Sequence, residues 1–347
     1  MKSSSKLLYI ALGLVCLLAI IGIWSWWRIM KYTPYRNLEE AVRIYVYPRN
    51  SWEDVVDSLA SRTETGHSRE LKFLLSLRSP DSPHPGSYLV EPGATAFDLY
   101  KKLTRGQQSP VRITFRSVRL PEQVYSELGK QLMIDSLDIA KSMADSLHLR
   151  SLGVDPQDFV YRLLPNTYEV YWTISPESLV ERLAKESEKF WTQERIDRAT
   201  ALGLSVDEVI TLASIVQEES AMTDEYPEIA GLYLNRLRIG MPLQADPTVK
   251  FAVGDFGLRR ILHSHLEVDS PYNTYLHAGL PPGPIRIPNI SALKGVLDAA
   301  DHGYLYMCAK EDFSGYHNFA RTYSEHLVNA RRYAKALNER NIRLVWR

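Results

Sequence analysis

The sequence is poor in cysteine and has no excess of either charge. Its 347 residues include only two cysteines, and 41 Lys and Arg residues balance 41 Asp and Glu residues. Because Cys16 lies in a long apolar run, Cys308 has no partner in the body, which excludes a disulfide-stabilised fold. The balanced charge argues against a nucleic-acid partner. Neither GxGxxG nor GxxxxGK[ST] occurs, so we predict no nucleotide cofactor.

Long hydrophobic runs are absent beyond the N-terminus. Leu7 to Trp27 is an uncharged run of 21 residues, enough to cross about 30 Å of hydrocarbon as a helix. Trp24, Trp26 and Trp27 suit a membrane interface, whereas a cleaved signal peptide, the alternative, has a shorter apolar core and a small-residue cleavage site. We predict a single-pass anchor in residues 1–34, with the N-terminus in the cytoplasm and the body outside.

The body predicts a mixed α+β fold. In residues 40–110, the apolar run Ile44–Tyr47 and a helix starting at Ser51 begin a strand, helix, helix, strand order. This order resembles a small LysM-like module, which presents a groove to amino-sugar chains; a plain α+β spacer is the alternative. Residues 111–204 predict a largely helical connecting region, with a strand at Val111–Phe115 and a turn at Leu164–Glu169.

The segment from Ser205 predicts a helix that carries an acid. Ser205 and Glu208 form a capping box, and Leu212, Val216 and Glu219 fall on one helical stripe. A carboxyl group on an apolar face is costly to ionise, so its pKa rises, as a proton donor near neutral pH requires. In the alternative, Glu219 reaches solvent or pairs with Arg236 or Arg238.

The loops that follow combine polar, aromatic and proline residues. Such loops suit a sugar groove, because aromatic rings stack on sugars while amide and carboxylate groups bind hydroxyl groups. His263 and His265 would share one side of a strand, but the run matches no zinc-ligand spacing. We predict a polar strand face or loop there and no metal site.

Several separated motifs in residues 205–340 resemble the membrane-anchored endolytic murein transglycosylases, also called YceG-like proteins. The helix segment Ala213–Ser220 is similar to the family's ASIVExE[TSA] sequence, whose last glutamate is catalytic and corresponds to Glu219. Further motifs occur in the same order, namely Asn235–Leu237, Leu243–Thr248, Tyr272–Tyr275, Gly279–Ile285, His317–Phe319 and Glu325–His326. The resemblance implies substrate-binding roles for Asn235, Gln244, Asp246, Thr248, Tyr272, Asn273, Thr274, Tyr275, Gly279, Leu280, Pro281 and Pro282.

Two positions depart from the family pattern. The family usually has glutamate where this chain has Gln217, which indicates that no carboxylate is needed there. It also commonly has an acidic residue in a PDTY turn, where this chain has Asn166 within Pro165–Tyr168.

The resemblance implies a lytic transglycosylase at the cell (inner) membrane. Such an enzyme cleaves the MurNAc–GlcNAc bond within nascent peptidoglycan strands, forms 1,6-anhydroMurNAc ends and needs no cofactor. Its partners would be glycan strands and the peptidoglycan synthases, the penicillin-binding proteins. Two alternatives remain, a muramidase that uses water with Asp246 as second carboxylate, and an anchored module that binds peptidoglycan without cleaving it.

Overall fold

The computed structural model describes residues 2–32, 34–35, 38–63, 68–156, 159–258 and 260–340. The chain divides into two units. The first comprises Met1–Ile113 and Tyr168–Ile174, and the second comprises Thr114–Thr167 and Ser175–Arg347. Helices dominate both units and short two-stranded sheets accompany them, which confirms the predicted α+β class.

The first unit contains the predicted strand, helix, helix, strand order. The two outer strands pair antiparallel, with Val42 opposite Val90 and Val46 opposite Gly86. The elements are α1 (Lys2–Lys31), β1 (Val42–Val46), α2 (Trp52–Thr63), α3 (Arg69–Leu77), β2 (Gly86–Val90), α4 (Ala96–Thr104), β3 (Val111–Thr114) and β4 (Thr167–Val170). The further likeness to a LysM module stays a prediction.

Helix α1 contains the apolar N-terminal run. Among the described residues, one helix by itself is long and apolar enough to cross a membrane, the 20-residue segment Tyr9–Arg28. Trp24, Trp26 and Trp27 are exposed near its end, and the Arg28 guanidinium lies 5.5 Å from the Trp24 ring centroid. An exposed apolar helix with this aromatic end is compatible with the predicted anchor.

The turn predicted at Leu164–Glu169 is in part a strand. Strand β4 pairs with β3, and its inward side chains Tyr168 and Val170 are buried. The alternation of buried and outward residues follows from the two-residue repeat of a strand. Tyr168 is only 4 % exposed, so its ring belongs to the core.

The second unit is mostly helical. Its elements are α5 (Pro121–Gly129), α6 (Ser136–Met143), α7 (Ser146–Ser151), α8 (Pro176–Phe190), α9 (Gln193–Ala201), α10 (Val206–Glu219), α11 (Tyr226–Arg238), α12 (Asp246–Val253), α13 (His263–Leu266), α14 (Ile290–Leu297), β5 (Tyr306–Ala309), β6 (His317–Ala320) and α15 (Tyr323–Glu339). Short 3₁₀ turns lie at Phe159–Arg162 and Thr223–Glu225.

Helix α10 is the centre of this unit. Every residue from Val209 to Val216 is buried, and the helix packs against α11, α12 and α14. Each buried Val, Leu or Ile contributes roughly 1.5–3 kcal/mol through removal from water. Helices α11 and α14 approach closely because Gly295 has no side chain, since a Cβ there would lie 2.4 Å from Tyr226 Cβ. The core therefore holds α10 from several sides.

The structure has a short helix where a polar strand face or loop was predicted at His263 and His265. The two residues lie in α13, a single helical turn whose side chains are not buried. The Leu262 N–H donates to His265 Nδ1 at 3.1 Å, which turns this ring back onto the start of the helix. Within the described ranges, no cluster of three or more His, Cys, Asp or Glu side chains is arranged to hold a metal ion.

Candidate active site

Helix α10 brings two adjacent glutamates to one end of the second unit. Its start is fixed by the predicted capping box, in which Glu208 N–H donates to Ser205 Oγ at 3.2 Å and Ser205 N–H donates to Glu208 Oε2 at 2.7 Å. In the middle, the Ser214 hydroxyl accepts from Ile285 N–H at 3.0 Å. These contacts and the surrounding core set the direction of the last turn.

Glu218 is held by two arginines. Arg119 Nη2 lies 2.7 Å from one carboxylate oxygen, and Arg286 Nη1 lies 2.6 Å from the other. The Glu218 side chain is 11 % exposed, and the Arg286 Nε donates to Ser117 Oγ at 2.9 Å. Because both oxygens already accept charge-assisted hydrogen bonds, Glu218 serves as the anion of a structural ion-pair cluster.

Glu219 has a different environment. The Tyr233 hydroxyl donates to Glu219 Oε1 at 2.6 Å, and the carboxyl group is partly buried in the wall of two cavities. None of the described basic side chains forms a salt bridge with it. Arg236 instead donates to the carbonyls of Leu305 and Leu243, and Arg238 donates to Asn235 Oδ1, so the ion pair considered as an alternative is not formed.

This environment raises the pKa of Glu219 to about 7. Burial is the main cause, because removal from water disfavours the ionised form. The Tyr233 hydrogen bond and the Arg236 charge act in the opposite direction, whereas the negative charges of Asp246 and Glu218 raise the pKa further. Glu219 can therefore hold a proton near neutral pH and also release it, which suits a general acid and base.

Tyr233 and Arg236 form the floor beside this carboxyl group. They lie three residues apart on α11, so both side chains face the same side of the helix. Burial and the neighbouring Glu219 raise the pKa of Tyr233 well above its ordinary value, so its hydroxyl stays a donor. Arg236 Nε donates to Leu305 O at 2.7 Å, and this contact ties α11 to the segment before β5.

Two cavities in the second unit share Glu219. The larger has a volume of about 750 Å³, large enough for a sugar-sized ligand, and its wall includes Lys250, Arg260 and His326. The smaller has a volume of about 260 Å³, and its wall includes Tyr233, Arg236 and His317. Both are also lined by Asp246, Tyr275, Cys308 and Ala309. Glu219 thus stands where the two cavities meet.

Three of the predicted substrate-binding residues line these cavities. The Tyr275 hydroxyl donates to Asp246 Oδ1 at 2.6 Å, and both residues line the two cavities. Gln244 lines the smaller cavity. Its backbone φ is 50°, a value that residues other than glycine rarely adopt. Gln244 N–H donates to Thr274 O at 3.1 Å, which supports this strained backbone.

The other predicted residues lie outside both cavity walls. Several polar members are used inside the protein: Asn235 Nδ2 donates to His302 O, Asn273 Nδ2 donates to Leu266 O and Val268 O, and the hydroxyl groups of Thr248 and Thr274 lie 2.8 Å apart. The Tyr272 ring packs 4.8 Å from that of Phe251, and Leu280 packs on the core. Gly279 has a φ of 93°, Pro281 is buried and Pro282 is exposed. These residues shape the loops that carry the cavity residues.

Sequence reasoning missed several cavity residues. Tyr233 lies within a helix most of whose residues are buried, and no local pattern marks it as the partner of Glu219. His317 and His326 belong to motifs that the resemblance covers, but no role was assigned to them. The signal that identifies all three is their common position around Glu219, which only the folded chain provides.

The fold and the site define a class of protein in which one protonatable carboxyl group faces an open cleft at the end of a buried helix. A model of the YceG-like family matches residues 44–332. This match covers most of the chain, so the chain belongs to the YceG-like family, as its motifs predicted.

Two curated relatives share one name. Over 137 residues, 40 % of this chain, the sequence is 39 % identical to the endolytic murein transglycosylase of Bacillus subtilis, of which 37 % is covered. Over 303 residues, 79 % of this chain, it is 24 % identical to the endolytic murein transglycosylase of Streptococcus pneumoniae, of which 55 % is covered. The matched parts thus span about a third to a half of these relatives.

A solved structure is similar in fold. The crystal structure of a YceG-like protein from Listeria monocytogenes aligns with a TM-score of 0.55 and 24 % sequence identity. The alignment covers 84 % of this chain and 99 % of the Listeria chain.

Proposed function

We propose that this chain is a membrane-anchored endolytic lytic transglycosylase. It cleaves the MurNAc–GlcNAc bond within nascent peptidoglycan strands and leaves 1,6-anhydroMurNAc ends, which terminates glycan elongation. The observation that carries this proposal is Glu219, a partly buried carboxyl group with a pKa of about 7 where two cavities meet. Membership of the family and the name shared by the relatives also support it.

The proposed reaction uses Glu219 twice. Protonated Glu219 first gives its proton to the glycosidic oxygen, and the bond from this oxygen to the anomeric carbon breaks. The resulting carboxylate then takes the proton of the MurNAc 6-hydroxyl, whose oxygen bonds to the anomeric carbon and closes the anhydro ring. Tyr233 donates to the carboxylate and stabilises it between these two steps. The protons balance, so no water is consumed.

Helix α1 supports a location at the membrane. Its segment Tyr9–Arg28 spans the membrane in this proposal, with the N-terminus in the cytoplasm and both units outside. Glycan strands are the substrate, and synthases of the penicillin-binding type supply them.

One observation favours a second candidate, a water-using muramidase. Asp246 carries a carboxylate in the same two cavities as Glu219, and Tyr275 orients it. Most glycoside hydrolases use two carboxyl groups that flank the scissile glycosidic bond. The two reactions differ in product mass, because a hydrolytic product contains one water more than the anhydro product.

The test is cleavage of purified glycan strands by the full chain in detergent, with products identified by mass spectrometry. We expect wild type to release anhydro products and Glu219→Gln to lose at least about a thousandfold in rate, because glutamine has no proton to give. Glu194→Gln, an exposed carboxylate on α9, is the matched control and retains the wild-type rate.

Any other outcome of this experiment contradicts one part of the proposal. Wild-type activity in Glu219→Gln would refute the assigned acid, and hydrated products would replace the proposal by the muramidase. A wild-type chain that binds strands without cleaving them would support the non-catalytic binding module.

A further inference from the structure

A histidine, His317, lines the smaller cavity, which Glu219 also lines. His317 is the first residue of β6, and its side chain is 14 % exposed. It lines this cavity together with Glu219, Tyr233 and Arg236. The proposed reaction gives His317 no task, although it lines the same small cavity as the acid.

A buried carboxylate holds this histidine. Glu225 is only 6 % exposed and accepts from His317 N–H at 2.7 Å and from His317 Nδ1 at 2.9 Å. A third donor, the Ser220 hydroxyl, lies 3.0 Å from Glu225 Oε2. Ser220 directly follows Glu219 on the chain, so one carboxylate fixes both the imidazole ring and the end of helix α10.

These contacts determine which ring nitrogen is available. A carboxylate accepts hydrogen bonds, so Nδ1 is the donor and carries a proton. His317 Nε2 has no hydrogen-bond partner among the residues that the structure describes. When the ring carries only the Nδ1 proton, Nε2 is an acceptor and suits a hydroxyl or amide N–H group in the cavity. Amino sugars of glycan strands carry both groups.

We propose that His317 is a substrate-positioning residue of this site. Its Nε2 accepts a hydrogen bond from a hydroxyl or amide N–H group of the sugar bound in the smaller cavity, and Glu225 holds the ring at the correct angle. This inference rests on the proposed function, since it assumes that a glycan strand occupies the cleft beside Glu219. A carboxylate behind a ligand-binding imidazole is a known way to fix its tautomer and orientation.

The rival explanation is structural, in which the imidazole only ties β6 to the turn at Glu225. Two substitutions separate the roles. His317→Asn keeps an N–H donor near the position of Nδ1 and removes Nε2, whereas His317→Gln places an amide near the position of Nε2. His263→Asn is the matched control, because His263 is 88 % exposed and lines neither cavity.

The first measurement is steady-state cleavage of glycan strands by the full chain in detergent. We expect His317→Asn to raise KM about tenfold, the effect of one lost hydrogen bond, with its melting temperature close to wild type. His317→Gln should recover part of the affinity, and His263→Asn should match wild type. An unchanged KM and kcat in folded His317→Asn would overturn the inference, as would a variant whose only change is a lower melting temperature.

The second measurement does not depend on turnover. Binding of glycan strands is compared between Glu219→Gln and the double variant Glu219→Gln with His317→Asn, and we expect about tenfold weaker binding in the double variant. Equal affinities would overturn the positioning role. Failure of wild type to cleave would refute only the proposed function, because the binding comparison still reports on His317.

Discussion

The two sides of the last turn of helix α10 carry the same chemical group in opposite environments. On one side, two arginines surround Glu218 and complete its hydrogen bonding. On the other side, Glu219 meets a tyrosine hydroxyl, a distant arginine charge and two open cavities. The residues are neighbours in sequence, yet a rotation of about 100° along the helix separates their surroundings.

The difference teaches that partners decide what a carboxylate does. Two guanidinium groups bind the Glu218 carboxylate, which joins the segment of Ser117 and Arg119 to the loop of Arg286. Among the residues that the structure describes, Glu219 has no such cation at contact distance, so burial determines its protonation and raises its pKa to about 7. One side therefore contributes stability, and the other keeps an exchangeable proton.

The largest expected effect is on the free energy of unfolding at pH 8, which Glu218→Gln should lower and Glu219→Gln should raise. Glu218→Gln leaves Arg286 without its anion and should lower the free energy of unfolding by about 2–4 kcal/mol. Glu219→Gln should raise it by about 3 kcal/mol at most, because a carboxyl pKa raised from 4.5 to about 7 destabilises the folded state once it ionises.

The pH dependence checks the second of these changes. The stability lost to Glu219 ionisation appears as the pH rises from about 4.5 to about 7, since only the unfolded state has released its proton in that window. Denaturant unfolding of the full chain in detergent should show the advantage of Glu219→Gln at pH 8 shrinking to zero near pH 4.5. The same sign for both variants at pH 8 would contradict the comparison.

The next effect concerns the rate of cleavage. Because the acid must be protonated, kcat/KM should fall about tenfold for each pH unit above about 7. A carboxyl group with the ordinary pKa of 4.5 would be protonated in only about one molecule in 300 at pH 7. The check is a pH–rate profile of the wild-type chain, and a profile that stays flat up to pH 9 would exclude Glu219 as the acid.

The smallest effect sharpens the role of the tyrosine beside Glu219. Tyr233→Phe removes the hydroxyl that donates to the carboxylate, so the pKa of Glu219 should rise further. The falling limb of the pH–rate profile should move upward by about one pH unit, with a loss of about tenfold in the rate at its optimum. Tyr304→Phe, outside both cavity walls, is the control. If the falling limb of Tyr233→Phe stays at the wild-type pH, the hydrogen bond does not set the pKa of Glu219.

Local patterns predicted much of the secondary structure. The spacing of apolar residues and the Ser205–Glu208 capping box marked α10 correctly, because both signals depend on residues within one or two turns. The strand at β4 and the helical turn at α13 were predicted as a turn and as a strand or loop. Both are short, and pairing with β3 and local hydrogen bonding override such weak local signals.

The candidate site was only partly predictable. Glu219 was selected because its position on an apolar stripe and the resemblance of its motif agreed, and the structure gives it a raised pKa. Gln244, Asp246 and Tyr275 came from loops with suitable chemistry and do line the cavities. Asn235 and Thr248 also came from motifs of the resemblance, but their side chains are hydrogen-bonded within the protein.

The sequence by itself determined the apolar N-terminal helix, the α+β class, the family and the glutamate at the end of α10, because each depends on composition, period or motif along the chain. Tertiary structure alone decided that Tyr233 contacts Glu219, that two arginines enclose Glu218 and that Glu225 holds His317. These contacts join residues 14, 68, 92 and 99 positions apart. Local periodicity carries no information over such distances, whereas burial and charge depend on what folding brings near.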